Sequence, residues 1–199
     1  MDTLTLRAPA KINLFLELTR RRPDGYHAID TIMQELDLCD TLTLTRRTDD
    51  LVRLTCDTPG IPCDESNLVV KAALLLREVA GIREGVDMHL TKRLPAGGGM
   101  GGGSSDGACA LTGLNRLWNT GLSRPMLQDL CARLGSDVAF FIRGGTARCT
   151  GRGEVVEPLP AAPGLTLVLV FPEWGVSTPQ AYRSLDPARF GTQTPEAML

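Results

Sequence analysis

The sequence has no run of apolar residues long enough to span a bilayer, and its N-terminus lacks a signal-peptide pattern. Its formal net charge is only −2, so it also lacks the basic character typical of proteins that bind nucleic acid or anionic membranes. The six cysteines include no C-x-x-C pair, which argues against a zinc site or a disulfide framework. These absences predict a cytoplasmic protein with free, buried thiols and with neither nucleic-acid nor membrane partners.

What remains is an ordinary globular composition. The 199 residues are 43% hydrophobic and 22% charged. A chain of this length can build one good core, or one domain together with part of another.

The most distinctive stretch is LPAGGGMGGGSS (94–105), in which six of twelve residues are glycine. An alternating segment precedes it, and a segment of helical period follows. Glycines let a ligand approach the backbone closely, and a helix N-terminus offers free N–H groups and a positive dipole end, so the pattern predicts a phosphate-binding loop. A flexible linker is the alternative, although linkers join domains rather than two closely spaced patterned elements.

Three common nucleotide motifs do not account for this loop. The G-x-G-x-x-G spacing is met, but the preceding segment alternates and no acid follows about twenty residues later, as a dinucleotide fold requires. No Gly-Lys-Ser/Thr closes a Walker loop, and the H-R-D and D-F-G motifs of protein kinases are missing.

Periodicity predicts a mixture of helices and alternating strands without regular β-α-β repetition, which indicates an α+β sheet-and-helix layer fold. Asn67 or Ser66 would cap the first helix and Gly81 would end it. The predicted helices cover 68–80, 105–118 and 123–134. The predicted strands include 4–18, an antiparallel hairpin over 37–56, an apolar strand over 139–142 and a strand over 165–171.

Several polar residues are candidates for chemistry, each with a structural alternative. Lys11 and Asn13 point to one side of an apolar strand, and from this segment alone a solvated sheet face is the favoured interpretation. Tyr26 and His27 follow a tight turn and could either contact a base or sugar or simply begin a strand. Asp137 precedes an apolar run, where partial desolvation can tune an acid, although turn aspartates are common.

Six segments, taken together, resemble a known family. They occur in order at the right separations and cover nearly the whole chain: PAKINLFLEL, RPDGYHAIDT, NLVVKAA, KRLPAGGGMGGGSSD, GSDVAFF and GVSTPQAY. The P-x-G-G-G-x-G-G-G-S-S motif resembles the GHMP kinase superfamily. PAKINLFL and DGYH narrow the resemblance to its 4-(cytidine 5'-diphospho)-2-C-methyl-D-erythritol kinase family.

The resemblance implies an α+β fold in two parts. Residues 1–157 would form the GHMP kinase N-terminal ATP-binding domain, and residues 158–199 the beginning of a C-terminal α+β domain. In family members the chain continues through the rest of this second domain, which supplies another glycine-rich segment and one wall of the cleft. We therefore expect weak or no activity from these 199 residues alone, in a monomer or homodimer.

The implied activity is ATP-dependent, Mg²⁺-dependent phosphorylation of the 2-hydroxyl of the cytidine diphosphate substrate. Other GHMP kinases (acting on mevalonate, homoserine or a sugar) and a non-catalytic nucleotide-binding module are the alternatives. The resemblance makes Asp137 the general base and Lys11 its cationic partner, which reverses the preference for a solvated face. Ala139 departs from the proline usual in the family, a change expected to affect rigidity rather than chemistry.

The resemblance also implies the binding residues. ATP would be held by Pro95, Ala96, Gly97, Gly98, Gly99, Met100, Gly101, Gly102, Gly103, Ser104, Ser105, Asn67 and Lys92, with Ser104 or Ser105 reaching the Mg²⁺ ion. The cytidine substrate would be held by Asn13, Tyr26, His27, Thr178 and Tyr182.

Overall fold

The computed structural model describes residues 2–162, 164–171, 181, 184–185 and 190–191. Within them the chain forms six strands and four helices. The strands are β1 (Thr3–Arg21), β2 (His27–Arg46), β3 (Val52–Cys56), β4 (Val86–Thr91), β5 (Thr146–Gly151) and β6 (Val155–Pro158). The helices are α1 (Leu68–Ala80), α2 (Gly102–Leu117), α3 (Arg124–Leu134) and α4 (Val138–Arg143).

The long strand β2 is the centre of the sheet. It pairs antiparallel with β1 from Thr3 opposite Thr45 to Arg21 opposite His27. Its other edge is shared, since residues 41–46 pair with β4 and residues 29–34 pair with β5. Helices α1, α2 and α4 contact this sheet, and α3 packs on the other helices.

The pairing of β1 with β2 is irregular at the point where the site forms. The register shifts between Pro9 and Lys11 and again between Asn13 and Phe15. Such bulges break the alternation of faces and re-aim individual side chains. As a result Ala10 and Lys11 are both buried, although they are neighbours in a strand.

The predicted ends of α1 are confirmed. The Asn67 side chain accepts a hydrogen bond from the backbone N–H of Val69, and Gly81 adopts the left-handed conformation at φ 65°. Helix α3 begins after Ser123 and ends before Gly135, also as predicted. Helix α2 begins at Gly102, three residues before the predicted start, because its N-terminus lies inside the glycine run, where apolar periodicity gives no signal.

The predicted hairpin over 37–56 is wrong. Strand β4 lies between β2 and β3, antiparallel to β2 and parallel to β3. Helix α1 makes the crossover that a parallel β3–β4 pair requires. Alternation marked both strands correctly but carries no information on which strand pairs with which.

Two other predicted strands are also wrong. Residues 139–142 lie in helix α4, because a short apolar run fits a buried helix as well as a strand. Residues 165–171 form no strand. Val168 and Val170 are 87% and 81% exposed, and no described strand pairs with this segment.

Most of the core is aliphatic and lies between the sheet and the helices. The described polar or charged residues that are buried are few: Lys11, Thr31, Asp40, Ser105 and Asp106. Burying such groups is costly unless they are paired, so their positions point to the functional region. The six cysteines are free, and Cys131 and Cys149 are buried. Among the described helices, none combines the length and apolarity needed to cross a membrane.

Candidate functional site

The glycine loop lines a cavity of about 400 Å³ at the N-terminus of α2. Residues 95–104, Asn67, Lys92 and Asp106 all contribute to its wall. The apolar part of the wall comes from Ile61, Pro62, Leu68 and Leu90. The predicted ATP-binding residues therefore come together, with the exception of Ser105, which is buried behind the wall.

Gly101 explains why the loop can approach the strand so closely. It caps α2 in the left-handed conformation at φ 68°, and its neighbour Met100 accepts a 3.0 Å hydrogen bond from the backbone N–H of Lys11. A Cβ at Gly101 would lie 2.9 Å from Cζ of Phe141 and 3.2 Å from Cγ of Lys11. The loop is thus fixed against β1, and its N–H groups at the helix start are available to an anion.

Asn67 has a structural role beside the cavity. Besides capping α1, its Nδ2 donates a 2.7 Å hydrogen bond to the carbonyl oxygen of Pro62. Both polar ends of this side chain are thereby engaged within the protein. Asn67 shapes the apolar end of the cavity by holding the 61–62 segment in place.

Lys92 is held between two buried carboxylates. Its Nζ donates to Oδ2 of Asp106 at 2.8 Å and also to Oδ2 of Asp40, whose Oδ1 accepts from the backbone N–H groups of Arg93 and Leu94. Burial acts to lower the pKa of Lys92, but the two acids outweigh it and the net pKa lies above the ordinary value. Burial raises the pKa of Asp106 to about 7 despite the opposing charge of Lys92. This triad ties the segment that enters the glycine loop to the first turns of α2.

Lys11 and Asp137 form the second charged group of the site. Nζ of Lys11 lies 3.5 Å from Oδ2 of Asp137 and donates a 2.8 Å hydrogen bond to Oδ1 of Asn13. Lys11 is 5% exposed, whereas the side chain of Asp137 is 30% exposed. The carboxylate is therefore open to a ligand, while the ammonium that compensates its charge is shielded from water.

Three of the five residues predicted to hold the second substrate lie on β1, on β2 or in the turn between them. Nδ2 of Asn13 donates to Thr31 Oγ1 at 2.6 Å, which fixes the amide next to Lys11. Tyr26 is 54% exposed at the β1–β2 turn, and the ring of His27 meets that of Phe190 edge-on at 5.6 Å between centroids. The predicted Thr178 and Tyr182 lie outside the described residues.

Comparison with known proteins agrees with this fold. Residues 67–145 match the model of the GHMP kinases N terminal domain. A 4-diphosphocytidyl-2-C-methyl-D-erythritol kinase of Geobacillus kaustophilus (strain HTA426) is 44% identical over 197 residues, covering 98% of this chain and 68% of that protein. The crystal structure of a 4-(cytidine 5'-diphospho)-2C-methyl-D-erythritol kinase superposes with a TM-score of 0.77 at 36% identity, covering 96% of this chain and 68% of the other.

The chain belongs to the 4-diphosphocytidyl-2-C-methyl-D-erythritol kinase family. It spans 63% of the length of a Geobacillus sp. (strain WCH70) member and 62% of a Bacillus subtilis (strain 168) member. The homoserine kinase of Cytophaga hutchinsonii, at 21% identity and a TM-score of 0.69, shares the fold.

Within this kinase family fold, sequence reasoning missed both acids that hold Lys92. A signal for each is present in the sequence. Asp40 is in period-two register with the buried Leu42 and Leu44, and Asp106 shares the helix face of the buried Ala110 and Leu117. An acid on a buried face needs a partner there. Its position on that face is therefore a stronger sign of a site than the presence of an acid alone.

The described residues fit Mg²⁺ only as a partner of bound phosphates. They contain no cluster of three or more acidic, histidine or cysteine side chains that could hold a metal ion. Mg²⁺ commonly keeps its waters and takes one or two protein ligands together with substrate phosphates. Ser104 is on the cavity wall, while the buried Ser105 Oγ has no hydrogen-bond partner among the described residues. Both predicted serines are thus placed beside the space where phosphates would lie, Ser104 more directly.

Proposed function

We propose that this chain provides the nucleotide-binding and acceptor-activating part of a kinase that phosphorylates the 2-hydroxyl of 4-diphosphocytidyl-2-C-methyl-D-erythritol. The relatives at 44–46% identity bear the name of that kinase. The observation that carries the proposal is the position of Asp137. Its carboxylate pairs with Lys11, whose own backbone N–H is bonded to the glycine loop.

Phosphoryl transfer depends chiefly on positioning and on charge stabilisation. The N–H groups at the start of α2 would bind the β- and γ-phosphates of ATP above the 95–104 loop. Asp137 would accept the proton of the acceptor hydroxyl, a contribution of about 10²–10⁴-fold in comparable general bases. Lys11 would compensate the carboxylate and steady the attacking oxygen.

The remaining roles follow from the same arrangement. Asn13, held by Lys11 and Thr31, would direct its amide toward the substrate, and the exposed ring of Tyr26 would flank the cytosine. His27, Thr178 and Tyr182 would hold the same cytidine group, the aromatic ring of Tyr182 also flanking the cytosine. Mg²⁺ held with Ser104 and Ser105 would neutralise the charge that develops on the phosphate oxygens. Lys92, engaged by two acids, would act on ATP by shaping the loop.

The test compares Asp137→Asn with Asp129→Asn, which removes a charge from an exposed position on α3. We expect Asp137→Asn to abolish substrate-dependent phosphate transfer while its affinity for Mg²⁺–ATP, measured by calorimetry, stays within about twofold of wild type. Asp129→Asn should match wild type in both measurements. If wild type transfers phosphate at a measurable rate and Asp137→Asn does so at the same rate, Asp137 is not the base.

The same assay separates the alternatives. ATP turnover that depends on the cytidine diphosphate substrate supports the proposal, and turnover with mevalonate, homoserine or a sugar supports another GHMP kinase. Binding of ATP without turnover on any acceptor supports a nucleotide-binding module.

A further inference from the structure

Arg152 lies outside all the groups described so far, in the turn 152–154 between β5 and β6. Its guanidinium carbon is 5.2 Å from the centroid of the Tyr26 ring, which places the cation over the face of the aromatic ring. A cation over an aromatic face is attracted by the ring quadrupole. The β5–β6 turn is thus joined to the β1–β2 turn through this pair.

Both partners of the pair are held independently. Oε1 of Glu154 lies 3.7 Å from Nε of Arg152, and the other Glu154 oxygen accepts the backbone N–H of Arg152. On the opposite turn, Oδ1 of Asp24 accepts the backbone N–H of Tyr26 at 3.1 Å. Arg22 and Arg152 both contribute to keeping the pKa of Asp24 below its ordinary value, Arg22 the more strongly. Arg152 therefore lies near the carboxylates of Glu154 and Asp24, with its guanidinium carbon over the Tyr26 ring.

The same turn also lies close to the proposed base. A Cβ built at Gly153 would lie 3.4 Å from Oδ1 of Asp137 and 3.5 Å from the carbonyl oxygen of Ser136. Consecutive residues of one short turn therefore lie beside the Tyr26 ring and the Asp137 carboxylate. The turn thus spans the space between these two groups.

We propose that Arg152 is a positioning residue that packs on one face of Tyr26 and presents the ring, at a fixed distance from Asp137, to the nucleobase of a cytidine diphosphate ligand. This inference rests on the proposed function, since it assigns Tyr26 to the nucleobase. A half-exposed tyrosine on a turn samples several rotamers, and ordering it beforehand removes an entropic cost from binding. Arg152 is therefore expected to affect the affinity for the ligand and not the rate of the chemical step.

The experiment measures the dissociation constant of cytidine 5'-diphosphate by calorimetry for wild type, Arg152→Met, Arg152→Lys and Arg83→Met. Arg83→Met is the control. Arg83 is exposed and precedes the first residue of β4, whereas Lys92 follows the last residue of that strand. We expect Arg152→Met to weaken binding about two- to fivefold, because the strength of an exposed cation–π contact limits how far it can order the ring before binding. Arg152→Lys keeps the cation without the planar fork and should recover part of the loss. Arg83→Met should bind like wild type, and the affinity for Mg²⁺–ATP should be unchanged in all variants.

A second measurement follows the ring without any ligand. In protein with isotope-labelled tyrosine, Arg152→Met should shift the ring resonances of Tyr26, and Arg83→Met should leave them in place. Equal affinities for cytidine 5'-diphosphate in wild type and Arg152→Met, or an unshifted Tyr26 ring, would overturn the role of Arg152 while the proposed function stands. Wild-type protein that binds Mg²⁺–ATP but not cytidine 5'-diphosphate would overturn both. A parallel loss of ATP affinity in Arg152→Met would show a general structural defect and likewise refute the inference.

Discussion

Replacing Gly101 by alanine tests what holds the glycine loop in its conformation. An L-residue in the left-handed region costs about 1–2 kcal/mol. The added Cβ would lie 2.9 Å and 3.0 Å from two carbons of the Phe141 ring, so that ring must move. Phe141 packs edge-on against the fully buried Phe140 at 5.1 Å between centroids, which limits its freedom to do so. Overpacking of this kind costs about 1–3 kcal/mol.

Together these effects predict that Gly101→Ala lowers the free energy of unfolding by about 2–5 kcal/mol. For a chain of this size that corresponds to a fall in Tm of roughly 5–20 °C. The shifted start of α2 should also weaken the binding of Mg²⁺–ATP. Differential scanning calorimetry and nucleotide titration measure the two effects.

Gly103 is the matched control. It lies two residues along in the first turn of α2, without a left-handed φ, and a Cβ there meets nothing within 4 Å. Gly103→Ala should raise the free energy of unfolding by roughly 0.5–1 kcal/mol, because alanine is the better helix former. Its methyl group would nevertheless stand at the cavity wall and weaken ATP binding. If Gly101→Ala unfolds at the same temperature as wild type, neither the left-handed conformation nor the Phe141 contact is required.

Two further predictions concern the walls of the cavity. Asn67→Ala removes the cap of α1 and the bond to the Pro62 carbonyl, and should lower the free energy of unfolding by about 1 kcal/mol, as measured by urea denaturation; Asn67→Asp, which keeps the cap acceptor, should recover most of it. For Asp106 the pKa is about 7 in the folded protein and 3.8 in the unfolded chain, so the folded state binds the extra proton between these values. Its contribution to stability is therefore complete below pH 4 and is lost as the pH rises through 7, with a slope of at most about 1.4 kcal/mol per pH unit. Wild type should therefore lose unfolding free energy between pH 5 and 7.5 relative to Asp106→Asn, which has no carboxyl group at this position to titrate. Parallel curves of unfolding free energy against pH for the two proteins would contradict the effect assigned to burial of Asp106.

Local structure was predictable from the sequence wherever a residue's own chemistry determines it. The Asn67 and Gly81 caps are examples, because a side-chain acceptor and a left-handed glycine act on the nearest helix end. The free thiols were also predictable. Strand partners were not, because the insertion of β4 between β2 and β3 depends on a crossover helix and not on either strand's pattern. The short apolar run at 139–142 was ambiguous for a similar reason, since only its packing decides between helix and strand.

In the candidate site, too, local features were predictable from the sequence and contacts between distant residues were not. The glycine loop was predictable from its composition alone. The pairing of Lys11 with Asp137, 126 positions apart in the sequence, is seen only in the structure. Local periodicity assigned Lys11 to a solvated face, and the register shift after Pro9 is what turns it inward. The sequence indicates nothing about Arg152 except that it lies in a turn. Its contact with Tyr26 exists only because β5 pairs with the half of β2 that follows that residue.

Strand β1 links the two halves of the proposed chemistry. Its backbone holds the glycine loop through the Lys11 N–H, while the side chains of Lys11 and Asn13 reach the proposed base and the proposed acceptor side. A slip of one residue in the β1–β2 register would reverse all of these groups at once. Two features oppose such a slip: the loop bond from Lys11 to Met100, and the Asn13–Thr31 bond that ties the shifted segment to β2. The irregular register is therefore part of the site, because its shifts fall at the residues whose side chains and backbone build it.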